Sequence, residues 1–179
     1  MRAELSDSRI DRVLITEDEI AAKVAELGAA ITADYAGRDL ALITVLKGGL
    51  VFLADLCRHL DLLHTVDFMA VSSYGPGAAG SVRITKDLDD AIEGRDVLMI
   101  EDIIDTGLTL NYLLRVLRAR RPASLAVCTL LDKDVRRLMD LPIEYRGFSI
   151  PDRFVVGYGL ALEGVWRNLP YVAPLHDAV

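Results

Sequence analysis

Four short apolar runs, separated by segments of a different periodicity, constrain this chain more than any other feature. They fall at Leu40-Ala41-Leu42-Ile43-Thr44-Val45-Leu46 and at residues 66–71, 97–100 and 125–131. The first has almost no polar alternation, the pattern of a strand covered on both faces. Helical spacing surrounds these runs. Ile20, Val24, Leu27 and Ile31 share one helix face behind Thr16-Glu17-Asp18-Glu19, a capping box, so a helix is expected over residues 17–35. Lys47-Gly48-Gly49 breaks the first run, and residues 50–56 resume with helical character. Leu110, Leu113, Leu114 and Leu117 form the apolar face of a further helix. Its end carries Arg118, Arg120 and Arg121 at the negative pole of the helix dipole, then Pro122. Strands alternating with helices predict an α/β fold, a mostly parallel twisted sheet with helices on both faces.

The chain has 179 residues, which fits one domain over 1–179. A chain of this length hides roughly 70% of its unfolded surface and needs no disulfide or metal staple. Cys57 and Cys128 sit in apolar surroundings without metal-ligand spacing and read as small buried thiols. Lys and Arg number 20 against 27 Asp and Glu, a net charge of -7 that argues against nucleic acid and anionic membrane as partners. The first residues lack a signal-peptide core, and no apolar run approaches the 18 or so residues of a membrane span, so a cytoplasmic location is expected. His59, His64 and His176 are scattered without a partner pattern.

Residues 72–90 are rich in glycine and polar side chains. Ser81-Val82-Arg83-Ile84-Thr85 alternates like an edge strand, which leaves residues 73–80 as a candidate active-site lid, with a plain surface hairpin as the alternative. Gly75-Pro76-Gly77-Ala78-Ala79-Gly80 matches the spacing of a dinucleotide fingerprint. Its context fails, because that fingerprint must open a helix and here an alternating strand follows.

The segment with most chemistry is Val97-Leu98-Met99-Ile100-Glu101-Asp102-Ile103-Ile104-Asp105-Thr106-Gly107-Leu108-Thr109-Leu110. A buried strand runs into two adjacent carboxylates, then a third, then a turn that opens a helix. In an open parallel sheet that is the carboxyl edge, where ligands collect. Thr106, Gly107, Leu108 and Thr109 offer backbone amides, two hydroxyls and the positive end of a helix dipole, a seat for a phosphate monoester. Glu101 and Asp102 can accept from paired hydroxyls or hold a hard cation such as magnesium.

This segment resembles the 5-phosphoribosyl 1-diphosphate binding motif of the type I phosphoribosyltransferases. Its Glu-Asp-Ile-Ile-Asp-Thr-Gly form is similar to that of the hypoxanthine-guanine branch of the family. Val45-Leu46-Lys47-Gly48-Gly49 resembles the family's diphosphate loop and Ser72-Ser73-Tyr74-Gly75 the start of its lid. Residues 150–160, Ile-Pro-Asp-Arg-Phe-Val-Val-Gly-Tyr-Gly-Leu, resemble its purine-binding hood. The resemblance spans about residues 16–171.

It implies the type I phosphoribosyltransferase fold. The core would cover about residues 36–145, and a small hood about 146–179 together with the N-terminal segment. It also implies a pentosyltransferase of purine salvage with 5-phosphoribosyl 1-diphosphate, hypoxanthine and guanine as substrates, IMP and GMP as products, Mg2+ as cofactor, and a homodimer or homotetramer. Glu101 and Asp102 would bind the ribose hydroxyls directly or through magnesium, and residues 106–109 would cradle the 5-phosphate. Asp105 would be the general base that takes the proton from purine N7. Lys47 and Gly48 would meet the diphosphate, with a cis Leu46–Lys47 peptide, as would Arg167. Lys133 would donate to the purine O6, Phe154 would stack on the ring, Val155 would read its edge through backbone groups, and Ser73 and Tyr74 would close over the reaction centre.

One residue departs from the family pattern: Ala161 follows Gly-Tyr-Gly-Leu where an Asp is usual, which implies a weaker or shifted magnesium requirement, with either water, substrate oxygens and Asp102 or the nearby Glu163 in place of the missing carboxylate. Two alternatives stand beside the main reading. One is a xanthine-preferring relative. The other is a donor-sensing regulator of RNA or DNA, which the middle acid, the hood and the acidic balance disfavour.

Overall fold

The structure, a computed structural model, describes residues 8–73 and 82–176. Thr16 opens the first helix, α1 (Glu17–Asp34), as a reciprocal cap: its hydroxyl accepts from the Glu19 amide at 3.3 Å, and the Glu19 carboxylate accepts from the Thr16 amide at 2.8 Å. The chain then runs β1 (Leu40–Leu46), α2 (Leu50–Arg58), β2 (His64–Ser73), β3 (Val82–Lys86), β4 (Asp96–Ile104), α3 (Leu108–Arg118), β5 (Ser124–Asp132) and β6 (Ile143–Ser149). A separate pair, β7 (Val155–Val156) and β8 (Ala173–Pro174), follows.

The main sheet has the order β3-β2-β1-β4-β5-β6, parallel throughout except for β3, which runs antiparallel along β2. Strand pleating sorts the side chains. Leu40, Leu42, Leu98 and Ile100 join the core under α1 and α2, while Ala41, Ile43, Val97 and Met99 join the core under α3. This is the expected α/β architecture, with helices on both faces. From β1 the chain passes through α2 to β2 on one side, whereas β4 pairs with β1 on the other. The carboxyl ends of β1 and β4 therefore border the crevice where the strand order reverses.

Three features were not apparent from the apolar runs. β4 does not stop at Ile100 but carries both acids within it and ends at Ile104. β2 reaches from His64 to Ser73, longer at both ends than residues 66–71. β6 lacks a continuous apolar run because it is an edge strand, with Glu144 and Arg146 at exposed or half-exposed positions. Its pairing with β5 carries the main sheet through Ser149, past the division near 145 expected for the core.

The arginines after α3 act locally. Arg120 donates twice to Asp87 at 2.7 Å, and Arg121 pairs with Glu93 at 2.7 Å. Both cysteines are free, with Cys128 buried and Cys57 half-buried. His64 Nδ1 lies 2.9 Å from the Leu62 carbonyl, and His59 caps α2. Around β7 and β8, bridges from Ile10 to Leu175 and from Ile15 to Val172 draw in the N-terminal segment. Val156, Trp166 and Leu169 form a small cluster of their own there with Ile10, Tyr171 and Leu175 packed against it. Tyr74, the glycine run and most of the proposed lid lie outside the described residues, as does the side chain of Ser73. No helix among the described residues is long and apolar enough to cross a membrane.

Candidate active site

The turn after β4 is shaped by Gly107, whose φ of 80° is left-handed backbone that other residues enter at a cost. It lets the chain reverse directly into α3, where Asn111 N donates to the Gly107 carbonyl at 2.8 Å. Leu108 and Thr109 stand exposed in the first helical turn. The cleft beside them, about 210 Å³, is lined by Val45, Glu101, Asp105, Thr106, Gly107 and Thr109 among others. Three of the residues expected to seat a phosphate, Thr106, Gly107 and Thr109, thus share one wall with Asp105 and Glu101, while Leu108 does not line the cleft.

Strand alternation separates the two adjacent acids. Glu101 faces the cleft, whereas Asp102 turns toward the loop that follows β1. Thr44, fully buried, anchors that loop's approach by donating its hydroxyl to the Ile100 carbonyl at 2.7 Å. The Leu46–Lys47 peptide is cis, and Lys47 is exposed with no ion pair among the described residues. Arg167 arrives from the β7 side, donating to the Gly159 carbonyl at 2.6 Å. Its charge is felt at Asp102. Gly48, Asp102 and Arg167 therefore converge on one rim of the crevice.

The acids are held in an unfavourable state. Burial, reinforced by the neighbouring Asp102 carboxylate, pushes Glu101 well above the usual carboxylate range. Burial pushes Asp102 up to about 6, against the opposing pull of hydrogen bonds, including one from the Ile103 amide, and of Arg167. Each is a desolvated oxygen donor of the kind a hard cation favours, but since strand alternation points them apart, water or substrate oxygens would have to link both to one ion. No group of three or more His, Cys, Asp or Glu among the described residues could hold a metal ion, so water and substrate oxygens would complete a magnesium shell. Glu163 lies exposed at the turn closed by the Leu162–Val165 bridge and does not join Glu101 and Asp102 in such a group.

The base-recognition residues gather at the adjoining strand ends. Ile104 of β4 pairs with Asp132 of β5, so Asp105 and Lys133 leave the sheet side by side. The Lys133 amide donates to the Ile104 carbonyl at 2.9 Å, and its side chain, only 6% exposed, ends 3.6 Å from Asp152. Phe154 is 52% exposed, which excludes a core-packing role and leaves its ring face available. Val155 is buried with its backbone in β7.

Two ion-pair clusters escaped the sequence reading. Arg136 pairs with both Asp105 and Asp152. Asp132, fully buried, pairs with Arg137 and with Arg146 at 2.9 Å. The signal for Arg136 and Arg137 was their place three and four residues beyond Lys133, at the carboxyl end of a strand next to β4.

A cleft at a helix start, fringed by carboxylates at the reversal of a parallel sheet, is the kind of place where α/β folds hold phosphorylated ligands. The model of the phosphoribosyl transferase domain matches residues 14–163. The hypoxanthine phosphoribosyltransferase of Escherichia coli K12 is 52% identical over 164 residues, covering 89% of this chain and 92% of that protein. The hypoxanthine-guanine phosphoribosyltransferase of Bacillus subtilis 168 is 51% identical over 172 residues, covering 95% and 96%. Among solved structures, a hypoxanthine phosphoribosyltransferase of Staphylococcus aureus superposes with a TM-score of 0.92 at 44% identity, covering 97% of each chain. The chain belongs to the phosphoribosyltransferase family and, within it, to the hypoxanthine-guanine phosphoribosyltransferases.

Proposed function

We propose that this chain transfers the 5-phosphoribosyl group of 5-phosphoribosyl 1-diphosphate to N9 of hypoxanthine or guanine, giving IMP or GMP and diphosphate. The juxtaposition of Asp105 and Lys133 at the paired ends of β4 and β5 carries this reading. N7 and O6 lie on one edge of a 6-oxopurine. A carboxylate and an ammonium side by side match that edge, one accepting the N7 proton and the other donating to O6. The amino group at that position in adenine accepts no such bond, which gives the selectivity a physical cause.

In this reading the turn at residues 106–109 binds the 5-phosphate through its amides and hydroxyls, and Glu101 and Asp102 orient the ribose hydroxyls. Lys47, the Gly48 backbone and Arg167 receive the departing diphosphate. As the bond from C1 to diphosphate breaks and the bond from C1 to N9 forms, the proton on N7 passes to Asp105. Phe154 stacks on the ring, and the Val155 backbone reads its edge. Magnesium, when bound at Glu101 and Asp102, would supply positive charge against the diphosphate oxygens. A cytoplasmic location and a homodimer or homotetramer belong to the same proposal, as does closure by Ser73 and Tyr74.

The experiment mixes the protein with the donor, magnesium and hypoxanthine, guanine, xanthine or adenine in turn, and follows nucleotide formation by ultraviolet absorbance. Turnover with hypoxanthine and guanine is expected. Turnover with none of the four overturns the proposal, and a marked preference for xanthine would replace it with that narrower activity.

A further inference from the structure

Asp105 has a neighbour that the mechanism above leaves unused. Arg136, at the end of the 3-10 turn Asp134–Arg136, lies against it: Nη1 donates to Oδ2 at 3.4 Å, and Nε lies 3.3 Å from Oδ1 as an ion-pair contact without a hydrogen bond. Oδ1 is buried and receives no hydrogen bond among the described residues, so Arg136 supplies the positive charge that faces it. The same Nη1 is 3.4 Å from Asp152 Oδ1, and that oxygen is 3.6 Å from Lys133 Nζ. Asp105, Arg136, Asp152 and Lys133 thus form one chain of alternating charge that begins at the proposed base and ends at the proposed reader of O6.

The segment bearing Arg136 is also tied to the phosphate turn. Leu138 N donates to the Thr106 carbonyl at 3.0 Å, and Gly107 packs against Leu141 and Met139. Stability gives no reason for the arrangement. Arg136, Asp105 and Asp152 are each nearly half exposed, at 46%, 44% and 49%, where ion pairs contribute little. Geometry does give a reason. A planar guanidinium can hold two carboxylates at set angles, as Nη1 does with Asp105 and Asp152, in a way the point charge of an ammonium does not. The one hydrogen bond, from Nη1 to Oδ2, takes a single lone pair of the carboxylate and leaves the others for a substrate N–H.

We propose that Arg136 is a positioning residue: it aims Asp105 and, through Asp152, ties that aim to Lys133, so that proton removal at N7 and recognition at O6 are set as a unit. The inference deepens the proposed function and rests on it.

The test compares wild type, Arg136→Ala, Arg136→Lys, Asp152→Asn and the Ala/Asn double variant in the hypoxanthine assay, each checked for unchanged thermal unfolding. Arg136→Ala is expected to lower kcat about 30- to 100-fold, the scale of a misplaced catalytic group, while the KM for the donor stays within about twofold. Arg136→Lys should recover part of the loss, and added guanidinium ion should partly restore Arg136→Ala because the site is open to solvent. The double variant should lose less than the product of the two single losses. A wild-type kcat in Arg136→Ala, or a loss that falls equally on donor KM and that neither Lys nor guanidinium recovers, overturns the inference. Wild type run alongside keeps the readings apart, since absence of transfer by wild type would overturn the proposed function instead.

Discussion

Gly48 and Asp102 are in such close contact that a side chain on the first would occupy the space of the second: a Cβ built on Gly48 lands on the Asp102 carboxylate. The loop after β1 and the acid inside β4 are 54 positions apart in sequence, and each sets the other's place. The absence of a side chain at Gly48 lets the Lys47 backbone border the crevice while Asp102 keeps its hydrogen bond from the Ile103 amide at 2.9 Å.

Gly48→Ala should therefore displace Asp102 rather than merely stiffen a loop. Donor affinity measured by calorimetry is expected to fall at least tenfold, about 1.4 kcal/mol, in protein that still unfolds cooperatively. Unchanged affinity would show that the Asp102 position is unimportant for the donor.

Asp102→Asn should stabilise the ligand-free protein and impair binding at once. Burial pushes the folded-state pKa of Asp102 up to about 6, above the 3.8 of a solvated aspartate, so between these values the folded state holds more protons than the unfolded state. Stability then falls as pH rises through that window. At about 1.4 kcal/mol per pKa unit the buried charge costs about 2 to 3 kcal/mol at pH 7.5, and nothing below both values. Thermal unfolding with chelator present should show the Asn variant gaining at pH 7.5, with the gain fading toward pH 4, while its donor affinity drops.

Asp105→Asn keeps the shape of the side chain and removes its basicity. Turnover with hypoxanthine should fall about 100- to 10,000-fold, with donor affinity retained. Near-normal turnover would remove Asp105 from the role of base.

Lys133→Ala removes a side chain that is 6% exposed and whose ammonium faces Asp152. A charged hydrogen bond contributes about 1.5 to 3 kcal/mol, so the KM for hypoxanthine should rise about 10- to 100-fold and the preference over adenine should collapse. An intact preference in steady-state competition between the two bases would assign selectivity elsewhere.

Ala161→Asp would restore the carboxylate usual in the family at the turn after β7. Half-maximal activity should then need less magnesium, read from initial rates in a magnesium titration. An unaltered magnesium curve would mean that position 161 is remote from the metal in this chain.

How much was legible beforehand differs from element to element. β1 and α1 were readable because one is buried on both faces and the other carries its own cap, so both are decided by local pattern. The acid-rich turn was readable for a related reason: its chemistry lies in consecutive residues. β6 was not, because an edge strand with charges at alternate positions becomes a strand only through its partner β5. Arg136 was missed on similar grounds. Its two carboxylate partners lie 31 and 16 positions away, and nothing local marks the contact.

The sequence by itself determined the alternation of buried strands and amphipathic helices, the acid-then-threonine turn and the family those motifs belong to, since each depends on neighbours along the chain. Only the tertiary structure decided that Gly48 abuts Asp102, that Arg167 comes from the β7 side to the same rim, and that Arg136 joins Asp105 to Asp152. Those relationships arise where the strand order reverses, and that crevice exists only once distant strands have paired.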